Sequence, residues 1–387
     1  MNDKELPSQA RHRGVCYDLR HVRILVDYRP ALRQRTGVGE FAHRLGDALA
    51  RQGAPSDRVT LFSSSWKDRV PPAVVDGAEI VDRRVPVRLL NFLWHRVEWP
   101  PLERLAGAVD IAQSLHPLLL PSRRAAGFIT IHDLDFLDHP ERTSAEIRRD
   151  YAALARSHAM RADGVLVPSA HMAVQVTARF GVPPERITVF PPFAPVWRPR
   201  AEPSPGGPIL FVGTVEPRKN LPGLVAAYER LLAANPDTPP LVIAGRIPPG
   251  GASLLSASPA ASARIERRGY VSDVERLRLY GAASMLVLPS FDEGFGLPVA
   301  EAMGMGVPVI VSRRGSLPEL AGDAGLTVDP DDPEGLAAAM RRVLSDAALR
   351  RRMIEAGLER ARAFDPAAAA RGVLAAYRAA LSRRSVR

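Results

Sequence analysis

The segment from residue 285 to residue 311 constrains the fold more than any other part of the chain. An apolar run at Met285–Leu288 predicts a buried strand, and a polar loop with two glycines follows at 290–296. Leu297-Pro298 then predicts the start of a helix, because proline fits the first helical positions, and the apolar run 307–311 predicts the next strand. A strand, a glycine loop and a helix start in this order predict an anion-binding site, since backbone N–H groups and the helix dipole point at the loop.

Two carboxylates flank this predicted site eight residues apart, Glu293 in the loop and Glu301 in the expected first turn of the helix. Sugar and ribose rings offer neighbouring hydroxyls that donate well to ionised carboxylates. A sugar nucleotide would therefore fit, with its diphosphate on the amides near Gly296 and Leu297, its sugar on Glu293 and its ribose on Glu301. The alternative is a loop acid and a helix acid that are favoured by the helix dipole alone.

A second strand-loop-helix unit begins with the apolar run 209–212 and continues through Gly213 to Arg218-Lys219-Asn220 before a helix at 222–234. Arginine offers a planar fork of donors and lysine a compact point charge. Fixed cations at this position would stabilise charge that grows on a departing phosphate. The alternative is a solvated basic pair at the entry to a helix.

The first half carries a similar pattern. A predicted strand at 22–26 leads to Thr36-Gly37-Val38-Gly39-Glu40 and an amphipathic helix, which is again a geometry suited to phosphate. The glycine spacing is not the one typical of dinucleotide enzymes, so an NAD-dependent enzyme is disfavoured. A strand at 128–131 ends at His132-Asp133, and ligands of open α/β sheets bind beyond the carboxyl ends of strands. The alternatives are a tight turn at the glycines and a hydrogen-bonded structural histidine.

Composition limits the classes of protein. A chain of 387 residues with 46% hydrophobic residues is globular and too long for one small core. The net charge of +10 favours anionic partners, but zinc spacing and recognised nucleic-acid modules are missing, so we expect no nucleic-acid partner. A single cysteine, no apolar run of about 18 residues and no apolar leader predict a cytoplasmic protein. Residues 89–99 mix aromatic residues with arginine. A helix at a membrane interface is one interpretation of this pattern, but a helix with one face in the core and the other in solvent is favoured.

A cluster of prolines near the middle of the chain predicts the domain organisation. Seven prolines between residues 191 and 208 predict a stiff linker, because proline breaks packed elements. Strand and helix patterns alternate on both sides of it, which predicts two doubly wound parallel sheets. The expected domains are residues 1–195 and 209–365, joined by the linker 196–208 and followed by a terminal helix in 366–387.

Taken together, these motifs resemble those of the retaining family 4 glycosyltransferases of the GT-B fold, over nearly the whole chain. The resemblance implies two Rossmann-like domains that face each other across a cleft, with the terminal helix returning to the first domain. It implies a catalytic set of His132, Arg218, Lys219 and Glu293. It also implies donor contacts from Gly37, Val38, Gly39, Gly213, Arg246, Val271, Gly296, Leu297 and Glu301. Thr214 stands where many family members have a further arginine.

The implied reaction moves a hexosyl unit from a nucleotide sugar to a growing surface polysaccharide or lipid-linked oligosaccharide at the inner membrane face. General similarity to bacterial O-antigen mannosyltransferases favours GDP-mannose as the donor. The chain offers no clear nucleophile, so a front-face substitution without cofactor or metal is expected, and Asp133-Leu134-Asp135 is discounted as a metal motif. A sugar-nucleotide epimerase and a non-catalytic nucleotide or anionic-lipid binder remain alternatives, and an anionic membrane surface remains an open partner.

Overall fold

The structure is a computed structural model that describes residues 9–12, 15–18, 21–32, 37–140, 151–191, 197–202, 204 and 206–386. The chain forms two compact units. Unit 1 comprises Met1–Phe193 together with Pro366–Arg387, and unit 2 comprises Ala194–Asp365. Thr36, residues 141–150 and part of the predicted linker 196–208 lie outside the described residues.

Unit 1 contains a seven-stranded parallel sheet in the order β5-β4-β3-β6-β7-β8-β9, and an antiparallel pair of strands precedes it. The strands are β1 (Gln9–His12), β2 (Val15–Asp18), β3 (Arg23–Asp27), β4 (Arg58–Ser64), β5 (Ala78–Arg83), β6 (Ile111–Gln113), β7 (Ala126–Thr130), β8 (Gly164–Val167) and β9 (Ile187–Val189). The order reverses between β3 and β6, as in a Rossmann fold, and this reversal is where such sheets bind ligands.

The described helices of this part of unit 1 are α1 (Val38–Gln52), α2 (Val87–Val97), α3 (Leu102–Ala106), α4 (Asp135–Asp138), α5 (Tyr151–Arg161) and α6 (Ala170–Phe180). The amphipathic pattern of α1 is confirmed, since Phe41, Leu45 and Leu49 are buried in the core. Ser169 caps α6 by accepting a hydrogen bond from the Met172 amide, and Gly181 in the left-handed conformation ends it.

Unit 2 contains a six-stranded parallel sheet in the order β12-β11-β10-β13-β14-β15, the same Rossmann arrangement. Its strands are β10 (Ile209–Val212), β11 (Leu241–Ala244), β12 (Ile265–Gly269), β13 (Met285–Leu288), β14 (Val309–Ser312) and β15 (Gly325–Val328). Its helices are α7 (Leu221–Ala234), α8 (Pro259–Ser262), α9 (Asp273–Ala282), α10 (Leu297–Gly304), α11 (Leu317–Ala321), α12 (Pro333–Ser345) and α13 (Ala347–Ala361). The predicted pair of parallel α/β sheets is confirmed.

The last helix, α14 (Pro366–Val386), belongs to unit 1. Val373, Tyr377 and Leu381 are buried in the same core as the apolar face of α1. The Tyr377 hydroxyl donates a hydrogen bond of 2.7 Å to the Gln113 side chain at the end of β6. Burial raises the pKa of this hydroxyl well above its ordinary value, so it donates throughout the physiological range. Residues from both ends of unit 1 thus share one core.

No helix in the described part of the chain is long and apolar enough to cross a bilayer.

Candidate functional site

The candidate site of unit 2 lies at the carboxyl edge of its sheet, where the strand order reverses between β10 and β13. The loop after β10 carries Gly213 and Arg218-Lys219, and the loop after β13 carries Glu293. The two loops are tied together, because the Phe291 amide donates to the Arg218 carbonyl at 2.7 Å. Ligands bind at such reversal points in open α/β sheets.

Two glycines allow the strand ends to approach each other at this edge. Gly213 and Gly245 both have φ +151°, and a Cβ at Gly245 would overlap the carbonyl oxygen of Gly213. A side chain at Gly245 would push apart the loops that follow β10 and β11. The packing role therefore belongs to Gly245, whereas at Gly213 the φ of +151° is what favours glycine.

The three predicted side chains of this edge form one buried ionic cluster. The Lys219 ammonium contacts Glu293 Oε1, and Arg218 Nη1 lies 3.3 Å from Glu293 Oε2. The Ser290 hydroxyl donates to Oε1 at 2.9 Å. Lys219 is only 8% exposed and Glu293 only 5%. The alternative interpretation of Arg218-Lys219 as a solvated helix-entry pair is therefore wrong for Lys219, and Arg218 is mostly buried.

The carboxyl group of Glu293 is ionised. Burial by itself would raise its pKa, but the charges of Lys219 and Arg218 outweigh burial, and hydrogen bonds from Lys219 and Ser290 act in the same direction. The pKa of Glu293 therefore lies below its ordinary value. A carboxylate can accept about four hydrogen bonds. These three donors leave room for one more on Oε2, so a ligand hydroxyl could bind there.

The loop between β14 and α11 holds the backbone of Glu293 in place. The Ser316 hydroxyl and amide both donate to the Glu293 carbonyl, at 2.8 and 3.1 Å. Gly315 has φ +64°, and a Cβ there would lie 2.9 Å from the Glu293 amide nitrogen. Gly296, with φ +95°, caps the N-terminus of α10, and a Cβ on it would lie 2.5 Å from the Leu317 side chain. The predicted helix start at Leu297 is confirmed.

Glu301 departs from the prediction in its position. It is the fifth residue of α10 and therefore lies beyond the first turn, so the helix dipole does not explain it. It is buried, accepts a hydrogen bond of 2.9 Å from the Tyr280 hydroxyl, and lies 3.3 Å from the Arg276 guanidinium. The Arg276 guanidinium also lies over the Trp197 ring. Glu301 thus belongs to a second polar group, formed with Tyr280 and Arg276 beside the aromatic face of Trp197.

The remaining predicted donor contacts of unit 2 follow neighbouring strands. Arg246 comes after β11, which adjoins β10, and Val271 comes after β12, which lies on the far side of β11. The Val215 amide donates to the Arg246 carbonyl at 2.9 Å, so this loop packs along the one that carries Lys219. Val271 is buried. Thr214, the departure from the family pattern, lies in the same loop as Arg218 and Lys219.

The site residues predicted in unit 1 lie at the start of α1 and after β7, and these two places are in contact. Gly37, with φ +51°, caps α1, where Val38 is the first residue. Gly39 is buried in the first turn, and a Cβ on it would lie 2.7 Å from the Pro30 carbonyl oxygen. His132 follows β7, and its ring meets the Phe41 ring of α1 edge to face at 4.8 Å. The glycine loop and the histidine are therefore linked through the first turns of α1.

His132 is held as a neutral imidazole. Burial, the main cause, and the nearby charge of His116 lower its pKa to about 4. Its Nε2 has no hydrogen-bond partner within the described ranges. A buried polar atom of this kind requires a partner, so a ligand hydroxyl bound at this edge is a natural one.

We expect the His132 ring to remain neutral down to about pH 5, because its pKa lies near 4 rather than near the unfolded value of about 6.5. Imidazole nitrogen chemical shifts recorded from pH 4 to pH 8, and assigned with a His132→Gln variant, would measure this. The unfolded state binds the proton first, so the His132 contribution to the unfolding free energy should decline as pH falls from about 6.5 towards 4. A titration midpoint above about pH 6 would contradict the expectation.

Sequence reasoning missed a polar cavity in unit 1. Arg29 makes two hydrogen bonds of 2.7 Å to the buried carboxylate of Asp27 and a third to Asn91 of α2. The cavity has a volume of about 220 Å³, and His95 and His116 also line it. Burial, together with the charge of Arg29, lowers the pKa of His95 to about 4. Asp27 is the last residue of β3, at the strand reversal. An acid directly after the apolar run 22–26 is the sequence feature that could have indicated this site.

The chain is similar to known proteins in sequence and in fold. Residues 35–198 match the profile of glycosyltransferase family 4, and residues 199–360 match that of the group 1 glycosyl transferases. The O-antigen chain mannosyltransferase B of Escherichia coli is 33% identical over 384 residues, which cover 89% of this chain and 96% of that protein.

Two solved structures show the same fold. Sucrose-phosphate synthase from Thermosynechococcus elongatus superposes with a TM-score of 0.71 at 21% identity, covering 92% of this chain and 98% of that one. HepE of Anabaena, solved in complex with UDP and glucose, has a TM-score of 0.66 at 16% identity and covers 91% and 98% of the two chains. From the two Rossmann-like sheets, the buried cluster at Glu293 and these matches, we conclude that the chain belongs to the family 4 glycosyltransferases of the GT-B fold.

Proposed function

We propose that this glycosyltransferase moves a mannosyl unit from GDP-mannose to a growing surface polysaccharide or lipid-linked oligosaccharide, with retention of the anomeric configuration. The relation to the E. coli O-antigen mannosyltransferase supports the sugar and the class of acceptor. The observation that carries the proposal is the buried cluster of Arg218, Lys219 and Glu293 at the strand reversal of unit 2.

Arg218 and Lys219 would hold the donor diphosphate together with the backbone amides at the start of α10. Negative charge grows on the leaving phosphate as its bond to the sugar breaks. Cations fixed in a buried setting stabilise that charge more in the transition state than in the bound donor. We therefore propose that the reaction needs no metal ion and no cofactor.

Glu293 would accept a hydrogen bond from a hydroxyl of the sugar through the remaining position on Oε2. Its lowered pKa keeps it an acceptor at neutral pH. Glu301 is proposed to bind the donor ribose, and His132 to contact the transferring sugar. Gly37, Val38 and Gly39 are proposed to approach the diphosphate through their backbone, and Arg246 and Val271 to line the base pocket.

The proposed chemistry is a front-face substitution. The bond from the anomeric carbon to the phosphate oxygen breaks, and the acceptor oxygen bonds to the same face of that carbon. The acceptor hydroxyl passes its proton to the leaving diphosphate, which acts as the base. Retention by a double displacement would instead require a carboxylate nucleophile against the sugar, and Glu293 is engaged by Lys219, Arg218 and Ser290.

The test is a transfer assay with radiolabelled GDP-mannose, and with UDP-glucose for comparison, on lipid-linked oligosaccharide acceptors in detergent. We expect labelled product from GDP-mannose, dependence on the acceptor, an α linkage by NMR, and no loss of rate in EDTA. An inverted product or a rate abolished by EDTA would refute the mechanism. Conversion of the donor without an acceptor would favour the epimerase, and binding of GDP without turnover on any acceptor would favour a non-catalytic binder.

A further inference from the structure

Helix α2 has two different faces. Leu90 and Trp94 are buried in the core of unit 1, as the favoured core interpretation of this segment predicts. The opposite face is apolar as well, because Leu89 is 50% exposed and Phe92 is 61% exposed. These positions are three residues apart, so the two side chains lie on the same side of the helix.

Exposed apolar side chains are concentrated in this segment. The large hydrophobic residues exposed within the described parts of the chain are Trp66, Leu89, Phe92, Val97, Trp99, Met160, Val174, Val189, Tyr270 and Val274. Four of these ten lie between residues 89 and 99. Single exposed hydrophobic residues are ordinary on soluble proteins, whereas a contiguous group marks an interaction surface.

The same segment is basic. Residues 83–104 contain five arginines (Arg83, Arg84, Arg88, Arg96 and Arg104) and two glutamates. Both glutamates are already engaged: Glu98 pairs with Arg161, and Glu103 accepts hydrogen bonds from Ser122 and from two backbone amides. The segment therefore presents aromatic and aliphatic side chains among positive charges, which suits the interface of an anionic bilayer.

We propose that the exposed apolar patch on α2 and directly after it, formed by Leu89, Phe92, Val97 and Trp99, docks this protein on an anionic membrane surface. The inference rests on the proposed function, since it names the surface that would meet a lipid-linked acceptor. Asn91 and His95, on the inner side of the same helix, line the cavity beside Asp27. Docking through Leu89 and Phe92 would bring the membrane to the helix that also borders this polar cavity.

Charge argues against a second copy of the chain as the occupant. A symmetric dimer would bring the same patch of each subunit together, and the arginines of one α2 would then face those of the other. Repulsion between like charges disfavours that contact, whereas the anionic headgroups of a bilayer complement it.

The experiment is co-sedimentation of the full chain with vesicles of phosphatidylethanolamine and phosphatidylglycerol, and with neutral phosphatidylcholine vesicles. We expect binding to the anionic vesicles only, weakened by salt. The double variant Leu89→Ser/Phe92→Ser should lower the vesicle partition coefficient by at least about tenfold. Val174→Ser is the matched control, because Val174 is 65% exposed on another helix of unit 1, and its partition should match that of the wild type.

Failure to pellet with anionic vesicles, or equal binding by the double variant, would overturn the proposal. The proposal would also be overturned if light scattering showed that the wild type is a dimer and the double variant a monomer, since the patch would then be a contact between two copies of the chain. Circular dichroism confirms that the variants fold. Transfer to a detergent-solubilised acceptor is measured in parallel: vesicle binding without transfer would refute the proposed function alone, and transfer without vesicle binding would refute the docking surface alone.

Discussion

Replacing Lys219 with methionine is expected to lower the turnover rate of the proposed mannosyl transfer by about a hundred- to a thousandfold, which is the typical loss when one fixed donor at a developing anion is removed. Methionine fills much of the same space, so the loss reports charge rather than shape. Because the charge acts most strongly on the departing diphosphate, the turnover number should fall more than the Michaelis constant for the donor rises. Steady-state kinetics with radiolabelled GDP-mannose measures both quantities.

The chain offers a good control for this variant, since it contains only three lysines. Lys67 is exposed in unit 1, and Lys67→Met should leave the kinetics unchanged. Calorimetric titration with GDP separates binding from turnover. A Lys219→Met enzyme that keeps its turnover number within about threefold of the wild type would contradict the role proposed for the cation.

Replacing Glu293 with alanine is expected to destabilise the protein by about 3 kcal/mol, because removal of one partner leaves the buried ammonium of Lys219 without its carboxylate. Activity should fall as well, so stability must be measured separately by differential scanning calorimetry. The double variant Glu293→Leu/Lys219→Met should be much less destabilised than the two single variants added together, since it removes both buried charges. Glu355→Ala, at an exposed position of α13, should have little effect.

The effect of Glu293 should also depend on pH in a defined direction. Its pKa in the folded protein lies below the unfolded value of about 4.3, so its stabilising contribution is complete above that value. The contribution is lost as pH falls through the folded pKa, and the stability difference between wild type and Glu293→Ala should shrink below about pH 4. A difference that grows in acid would contradict the ionised state of this carboxylate.

The cluster around Glu293 suggests how two neighbouring cations are accommodated at a largely buried position. Arg218 and Lys219 are proposed to hold a diphosphate, yet two neighbouring cations without an anion would repel each other. Glu293 supplies the compensating charge from within the fold. A bound diphosphate would share these cations with Glu293, so the same carboxylate would serve both the stability of the protein and the binding of the sugar.

Local patterns in the sequence were sufficient to predict the elements that carry the site. The apolar run at Met285–Leu288 is a strand as predicted, and Leu297 begins a helix because Gly296 takes the left-handed conformation before it and Pro298 fits its first turn. Both facts depend on neighbours a few residues away. Glu301 nevertheless lies just beyond the first turn, because it is the fifth residue of a helix that begins at Leu297, and it is there beside Tyr280 and Arg276.

Contacts between distant parts of the chain could not be predicted in this way. The sequence shows that Lys219 and Glu293 are present, but only the tertiary structure shows that they form one buried cluster across 74 residues. The same is true of Asp27, Arg29 and Asn91, and of Tyr377 against Gln113 across 264 residues. No local pattern indicates which charged side chains will be removed from water together.

The sequence by itself determined the family, the two parallel sheets and the residue types at the carboxyl ends of their strands, because periodicity, glycine and proline act on the nearest turns of the chain. Only the tertiary structure decided which of these side chains are neighbours, which of them are ionised or neutral, and that one face of α2 remains exposed. Burial and charge pairing depend on which strands are neighbours in the sheet, and that arrangement is a property of the whole sheet.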